Sequence, residues 1–253
     1  MTAKTTNASR PLLAPPRRGT VFRVPLTTVD VCIVAVQGDA LKVLLARRPA
    51  DAEEPFPGRW ALPGGFVDVD VDADLAACAR RKLHDKTGIE SPYLEQLGSW
   101  GDAVRDPRGW SATHVYFALI AAQSLALAKG GNAADVAWLK VDDILRRPQL
   151  AFDHDTILRA AVERLRSKVE YTSLPAFLLP EPFTLPQLQR MYEVVLGRPV
   201  DKSGFRTRML AAQFLQETGP VEGDSNRPAM GYRLLDRQAP AMFPRTFSPR
   251  NPD

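Results

Sequence analysis

Apolar residues recur along this chain with two different periods. Thr28–Val36 (TVDVCIVAV) and Leu41–Ala46 (LKVLLA) are β-rich runs parted by Gln37-Gly38-Asp39-Ala40, a pattern that predicts a hairpin. Pro55–Gly58 reads as a loop and Trp60–Phe66 (WALPGGF) as a short strand entering a glycine turn. Leu94–Trp100, Ala112–Ala121 and Val136–Val141 read as further strands. Over Asp72–Lys86 the period lengthens. Leu75, Cys78, Ala79 and Leu83 then share one helical face, and Gly88 supplies the stop. Asp155–Val169 repeats that signature through Ile157, Leu158, Ala161 and Leu165. Helices do not alternate regularly with the strands, so the pattern predicts an α+β sandwich built on a mixed sheet rather than a doubly wound one.

The last third reads differently. A Pro-rich join, placed at 173–182, predicts a domain boundary. Thr184 can N-cap a helix over Leu185–Leu196 with Leu188, Tyr192 and Val195 on one face, and Gly197 ends it. Asp201 or Ser203 can start a second helix carrying Phe205, Met209, Ala212, Phe214 and Leu215, with Gly219 as its end. The polar stretch Glu222–Asn226 follows, and then Arg227-Pro228 and Tyr232-Arg233-Leu234. Helix, short turn, helix and hairpin is the order of a winged helix-turn-helix. The predicted layout is a sandwich domain over 25–172, the linker 173–182, a winged helix over 183–237, and disordered ends at 1–24 and 238–253.

Composition adds limits. The 253 residues are 45% hydrophobic and 25% charged, enough for two domains with cores of their own. The net charge of +4 permits nucleic-acid binding without showing it. Residues 1–24 hold Lys4, Arg10, Arg17, Arg18 and Arg23 and no acid, and read equally as a phosphate-touching arm or a solvated tail. Cys32 and Cys78 sit in apolar runs, which predicts buried free thiols and no zinc or disulfide framework. No apolar run approaches a membrane span and no signal core is present, so a cytoplasmic protein without membrane contact is expected.

Residues 65–89 read GFVDVDVDADLAACARRKLHDKTGI after Leu62-Pro63-Gly64. This resembles the Nudix signature, anchored at Gly65, Arg81, Leu83, Gly88 and Ile89 with a two-residue insertion within Val69–Ala73. In that family, glutamates on one helical turn gather Mg²⁺ or Mn²⁺ beside a pyrophosphate. Here their places hold Lys82, Asp85 and Lys86. Lys82 and Lys86 share a helix face and repel a divalent cation, and only Asp85 survives, one methylene shorter. Asp68, Asp70, Asp72 and Asp74 precede the helix, where they either rescue metal binding or simply complement the helix dipole. No catalytic residue, metal or required cofactor is expected.

Asp102–Trp110 contains Arg105-Asp106-Pro107-Arg108-Gly109. It resembles an element of ADP-ribose pyrophosphatase-like Nudix proteins. Two arginine forks around an Asp-Pro turn can meet a pyrophosphate or ribose, and Trp110 offers a face for a base. The same residues also make a charged β-turn on their own. The resemblance implies a ligand site that includes Arg47, Arg48, Trp60, Gly64, Gly65, Phe66, Arg81, Arg105, Asp106, Arg108 and Trp110.

The second C-terminal helix places Lys202, Ser203, Arg206 and Arg208 opposite Phe205 and Met209, as a recognition helix requires, although a solvated basic face has the same pattern. Arg227 and Arg233 bracket the predicted wing and can reach phosphate or the minor groove. With Phe183-Thr-Leu, Leu188-Gln, Tyr192-Glu193, Leu196-Gly197, the Asp201-Lys202-x-x-Phe205-Arg206 run and Arg227-Pro228-Ala229, the chain over roughly 25–237 resembles the NrtR family of Nudix-related transcriptional regulators. One departure is Gly204, where the family usually has Asn. The resemblance implies a homodimeric repressor of NAD biosynthesis or salvage genes, bound to a palindromic operator in double-stranded DNA and sensing ADP-ribose or a related nucleotide. Two alternatives are an active Nudix hydrolase with an accessory domain and a scaffold whose C-terminal helices pair with another protein.

Overall fold

The computed structural model describes residues 24–88, 93–121, 136–221, 228–244 and 247. Ile89, Glu222–Asn226, Arg227 and residues 1–23 lie outside the described residues. The first sheet is mixed. Its strands are β1 (Leu26–Gln37), β2 (Ala40–Arg47), β3 (Trp60–Ala61), β4 (Gly64–Phe66), β5 (Tyr93–Asp102), β6 (Ser111–Leu119) and β7 (Val136–Lys140). The order β3-β2-β1-β6-β5 puts β1 at the centre, with β4 also pairing β1 and β7 pairing β2. The β1 and β6 strands run parallel from Leu26↔Ser111 to Val34↔Leu119, and the other pairs are antiparallel.

The period-2 alternation of β1 explains the layering. Val29, Val31 and Ile33 point to one face, where Cys78, Ala79 and Leu83 of helix α1 (Leu75–Thr87) cover them. Cys32, Val34 and Val36 point to the other, where Ile157, Leu158 and Leu165 of α3 (His154–Val169) do the same. Burial pushes the Cys32 thiol up to about 12 and the Cys78 thiol up to about 11, the latter helped by Asp72, and both cysteines are free and buried. A short helix α2 (Val141–Arg146) follows β7. The sequence reading missed it because six residues are too few for helical periodicity to register.

The C-terminal part holds α4 (Leu185–Leu196), α5 (Lys202–Ala211) and a small sheet β8-β10-β9 made of Phe183–Thr184, Ala229–Leu234 and Leu215–Val221. Thr184 caps α4 in a full capping box with Gln187, and Gly197 closes it at φ 69°. Three expectations need correction here. The second helix stops at Ala211, because Gln213 turns left-handed at φ 52° and Leu215–Val221 pairs with β10; Phe214 and Leu215 lie beyond the helix, and Gly219 sits inside β9. The join at 173–182 is no exposed linker, since Leu174–Leu178 forms a fully buried 3-10 turn in the core shared by both parts. The described part of the tail is ordered by packing. Phe243 and Phe247 lie against Tyr192, Phe205 and Phe214, and the backbone of 241–247 bonds to Glu170, Tyr171 and Ser173. The aromatic residues of that tail supply the burial that its Pro-rich composition hides.

Candidate functional site

A cavity of about 240 Å³ opens where β1, β4, the Asp102–Trp110 loop and the start of α3 converge. Its floor is a buried polar network. Asp30 accepts a hydrogen bond from Thr113 Oγ1 at 2.7 Å, and His154 Nε2 stands 3.6 Å from Asp30 Oδ2. His154 Nδ1 accepts the Leu62 backbone N–H at 2.9 Å, so Nε2 carries the proton towards Asp30. Burial alone pushes the Asp30 carboxyl up, but His154, Thr113 and then Arg105 outweigh it and hold it below the usual carboxylate range. Gly64 is required beside this carboxylate: a methyl group there would meet Asp30 Oδ1 at 1.8 Å.

Of the ligand residues read from the sequence, Arg48, Gly64, Gly65, Phe66, Arg105, Asp106 and Arg108 line this cavity. Arg105 is buried, and its fork binds Asp153 at 3.0 and 2.8 Å while Nη1 reaches Ser111 at 3.2 Å. Arg108 folds back on Asp106 at 3.0 and 2.8 Å and lies over the Phe66 ring at 5.2 Å. Arg48 bonds Glu54 and the Pro55 carbonyl and stacks over Phe152 at 4.9 Å.

Arg47, Trp60, Arg81 and Trp110 stand away from the lining. Arg47 is exposed and bonds the Gly58 carbonyl, opposite Trp60 on β3, and Trp110 is 52% exposed on the loop rim. Arg81 grips Asp72 at 2.8 and 2.6 Å, a fork that holds the Asp72 carboxyl far below its ordinary range. Three neighbouring acids are likewise engaged. Asp74 caps α1 by accepting from Ala77 N, Asp68 accepts from Asp70 N, and Asp85 lies 3.7 Å from Arg81. Lys86 is exposed, and Lys82 is half-buried above the glycine turn, its Nζ 3.1 Å from where a Cβ on Gly65 would stand.

Sequence reasoning missed Asp30, Phe152 and His154. Phe152 adopts φ 55°, a left-handed conformation costly for an aromatic residue, and its ring packs edge-on against Phe56, itself at φ 57°. Ala151-Phe-Asp leads into α3, whose first residue is His154, and gives no periodic signal. An acid inside the apolar run TVDVCIV was the available clue at Asp30.

In the C-terminal part, Lys202, Ser203 and Arg206 are exposed on the first turns of α5, while Phe205 and Met209 are buried behind them. Asp201 caps the helix by accepting from Gly204 N at 2.6 Å. Arg208 points elsewhere, with its guanidinium 3.9 Å above the Phe247 ring. Arg233 is exposed on β10 and bonds Gln216 of β9 at 2.9 Å.

A polar cavity in a Nudix-like sandwich joined to a winged helix defines a class of two-part regulators. Comparison with known proteins bears this out: residues 26–161 match the NUDIX domain and residues 175–234 the NrtR DNA-binding winged helix domain. The chain belongs to the NrtR family. It is 44% identical to the ADPR responsive transcriptional repressor NtrR of Acinetobacter baylyi, covering 87% of this chain and 86% of that one. Its fold is similar to the crystal structure of Shewanella oneidensis NrtR complexed with a 27mer DNA, at TM-score 0.80 and 41% identity, covering 87% of this chain and 99% of the other. The Nudix part is 33% identical to an ADP-ribose pyrophosphatase of Methanocaldococcus jannaschii, over 47% of this chain and 64% of the relative. Among the described residues, no helix is long and apolar enough to cross a membrane.

Proposed function

We propose that this protein is a transcriptional repressor of NAD biosynthesis or salvage genes that binds a palindromic operator as a homodimer and senses ADP-ribose through its Nudix domain. The observation that carries the reading is the start of α5. Lys202, Ser203 and Arg206 face outward from a helix whose back is fixed by Phe205 and Met209 in the core. That geometry suits a helix laid in the major groove, with a two-fold dimer matching a two-fold site. Arg233 on β10 suits a phosphate contact beside it. The Acinetobacter relative, named as ADPR responsive, supports the choice of effector.

The Nudix domain serves as a sensor rather than a hydrolase in this reading. The helix face that would gather a divalent cation bears Lys82 and Lys86; of the nearby acids, Asp72 and Asp85 are drawn to Arg81, Asp74 caps α1 and Asp68 accepts within its own loop, while Asp70 is exposed. Such a donor set does not fit Mg²⁺, which demands convergent oxygen ligands in octahedral geometry, and among the described residues no three His, Cys, Asp or Glu side chains group to hold a metal ion. A cavity that holds a nucleotide without stabilising the phosphorus transition state binds without turnover. The effector then switches the protein only through different affinity for its DNA-bound and DNA-free states.

A gel shift with the promoter upstream of its own gene tests the proposal. A shift that weakens steeply between two salt concentrations and dissolves on addition of ADP-ribose is the expected result. Steady release of AMP from ADP-ribose and Mg²⁺, with no shift, would establish the hydrolase reading instead.

A further inference from the structure

We infer that the Lys82 ammonium takes up the diphosphate of the nucleotide in the Nudix cavity, occupying the role of a metal ion, so that effector binding is independent of divalent cations. The inference rests on the nucleotide reading of that cavity. Gly65 lines the cavity with φ +145°, a conformation that keeps its backbone bare of a side chain. Lys82 reaches that bare backbone from the α1 side, beside the cavity rather than among the residues that line it, with Nζ 3.1 Å and Cε 3.7 Å from the Cβ position. The ammonium therefore stands at the glycine turn itself and not out along the helix.

Its neighbours decide what it can bind. Arg48 is paired with Glu54, Arg105 with Asp153, Arg108 with Asp106 and Arg81 with Asp72. Lys82 is half-buried, and among the described residues it makes no hydrogen bond or ion pair. A partly desolvated ammonium with three unused donors calls for an anion. The lining carboxylates Glu54 and Asp106 neutralise Arg48 and Arg108, so these pairs bring no uncommitted positive charge to a diphosphate, and a further cation is needed to hold it. A lysine acts on phosphate as a compact point charge, which is also how a metal ion acts.

Titration calorimetry of the full-length protein with ADP-ribose, in Mg²⁺ and in EDTA, provides the test. Wild-type affinity is expected to be the same in both buffers. Lys82→Met and Lys82→Gln should each weaken binding about tenfold or more, Lys82→Arg should retain most of it, and Arg80→Gln, which removes an exposed charge from the same helix, should change little. Operator gel shifts without effector confirm that each variant is folded. Lys82→Glu should bind only weakly, and better in Mg²⁺ than in EDTA. Wild-type binding abolished by EDTA, or Lys82→Met and Lys82→Gln binding as wild type, would overturn the inference while leaving the nucleotide reading intact. Absence of wild-type binding in both buffers would overturn the nucleotide reading, and the inference with it.

Discussion

The two basic regions of this protein handle their cations in opposite ways. Around the Nudix cavity, the arginines are folded inward onto carboxylates, and Arg105 is buried against Asp153, Ser111 and the Phe152 ring. At the start of α5, Lys202 and Arg206 stand in solvent. The contrast follows from what each surface is proposed to meet. A small ligand is held by a site built beforehand, and charges desolvated in advance must be neutralised within the protein or they would unfold it. A phosphate backbone is met by exposed cations that release counterions as they bind, so they gain by remaining unpaired. Cations that look alike in the sequence are thus committed to carboxylates in one place and left in solvent in the other.

The largest effects belong to the inward region. Asp153→Ala leaves the Arg105 guanidinium buried without its carboxylate, and about 3 kcal/mol of stability should be lost. Urea unfolding followed by tryptophan fluorescence measures it, and a loss below 1 kcal/mol would show that Ser111 and Phe152 suffice. Acid probes the same network. The folded-state carboxyls of Asp30 and Asp72 lie below the ordinary aspartate value of 3.8, so their stabilisation is complete above that pH and disappears as pH falls through the lower folded values. Unfolding midpoints taken from pH 7 down to pH 3 should therefore drop chiefly below pH 4. Phe247→Ala comes next. It removes the half-buried ring that packs on Tyr192, Phe205 and Phe243 and supports Arg208, and should cost about 2 kcal/mol. A melting temperature unchanged by this substitution would mean that the tail is not part of the folded core.

How much of this was legible in the sequence depends on periodicity. Strands β1, β2, β5 and β6 and helices α1, α3 and α4 announced themselves because each buries one face over several residues. Thr184, Gly88 and Gly197 marked helix ends through capping chemistry. The cavity was half legible. Gly64, Gly65 and the Arg105–Arg108 turn form local patterns, whereas Asp30 and His154 meet only through strand–helix packing across more than a hundred residues of chain. Arg81 and Arg208 show the reverse case. Their positions suggested ligand and DNA, but Asp72 and Phe247, remote or unpatterned in sequence, claim them.

The outward region predicts smaller changes in stability and a clearer change in function. Arg206→Ala should leave unfolding and ADP-ribose binding unaltered while weakening operator binding about tenfold, or 1.4 kcal/mol. If Arg206 reaches a phosphate, the salt dependence of binding should also flatten by about one ion, and a base contact would leave that slope unchanged. Arg208→Ala separates the two regions further. Because Arg208 lies over Phe247, its loss should act on thermal stability before it acts on the salt slope. Equal losses of operator affinity from Arg206→Ala and Arg208→Ala, with no change in melting, would erase the distinction drawn between them.

The smallest effect is expected at Gly204, on the first turn of the same helix. A glycine in a helix forfeits conformational entropy, and replacing it with Ala where the backbone is helical stabilises a protein by about 0.4–1 kcal/mol. The added methyl would stand 3.1 Å from Asp201 Oδ2, the oxygen that accepts the Gly204 N–H and caps the helix. That oxygen ends a short side chain able to rotate by a few tenths of an ångström, so the cap survives and the gain falls towards the lower end, about 0.4 kcal/mol. Gly204→Ala should then raise the urea midpoint slightly and leave operator affinity unchanged, because the backbone of α5 is already set by Phe205 and Met209 in the core. A fall in the midpoint would mean that the cap is too tight to give way. Tighter operator binding would mean that the first turn of α5 is ordered by DNA, and the exposed region would then be a surface completed by its partner.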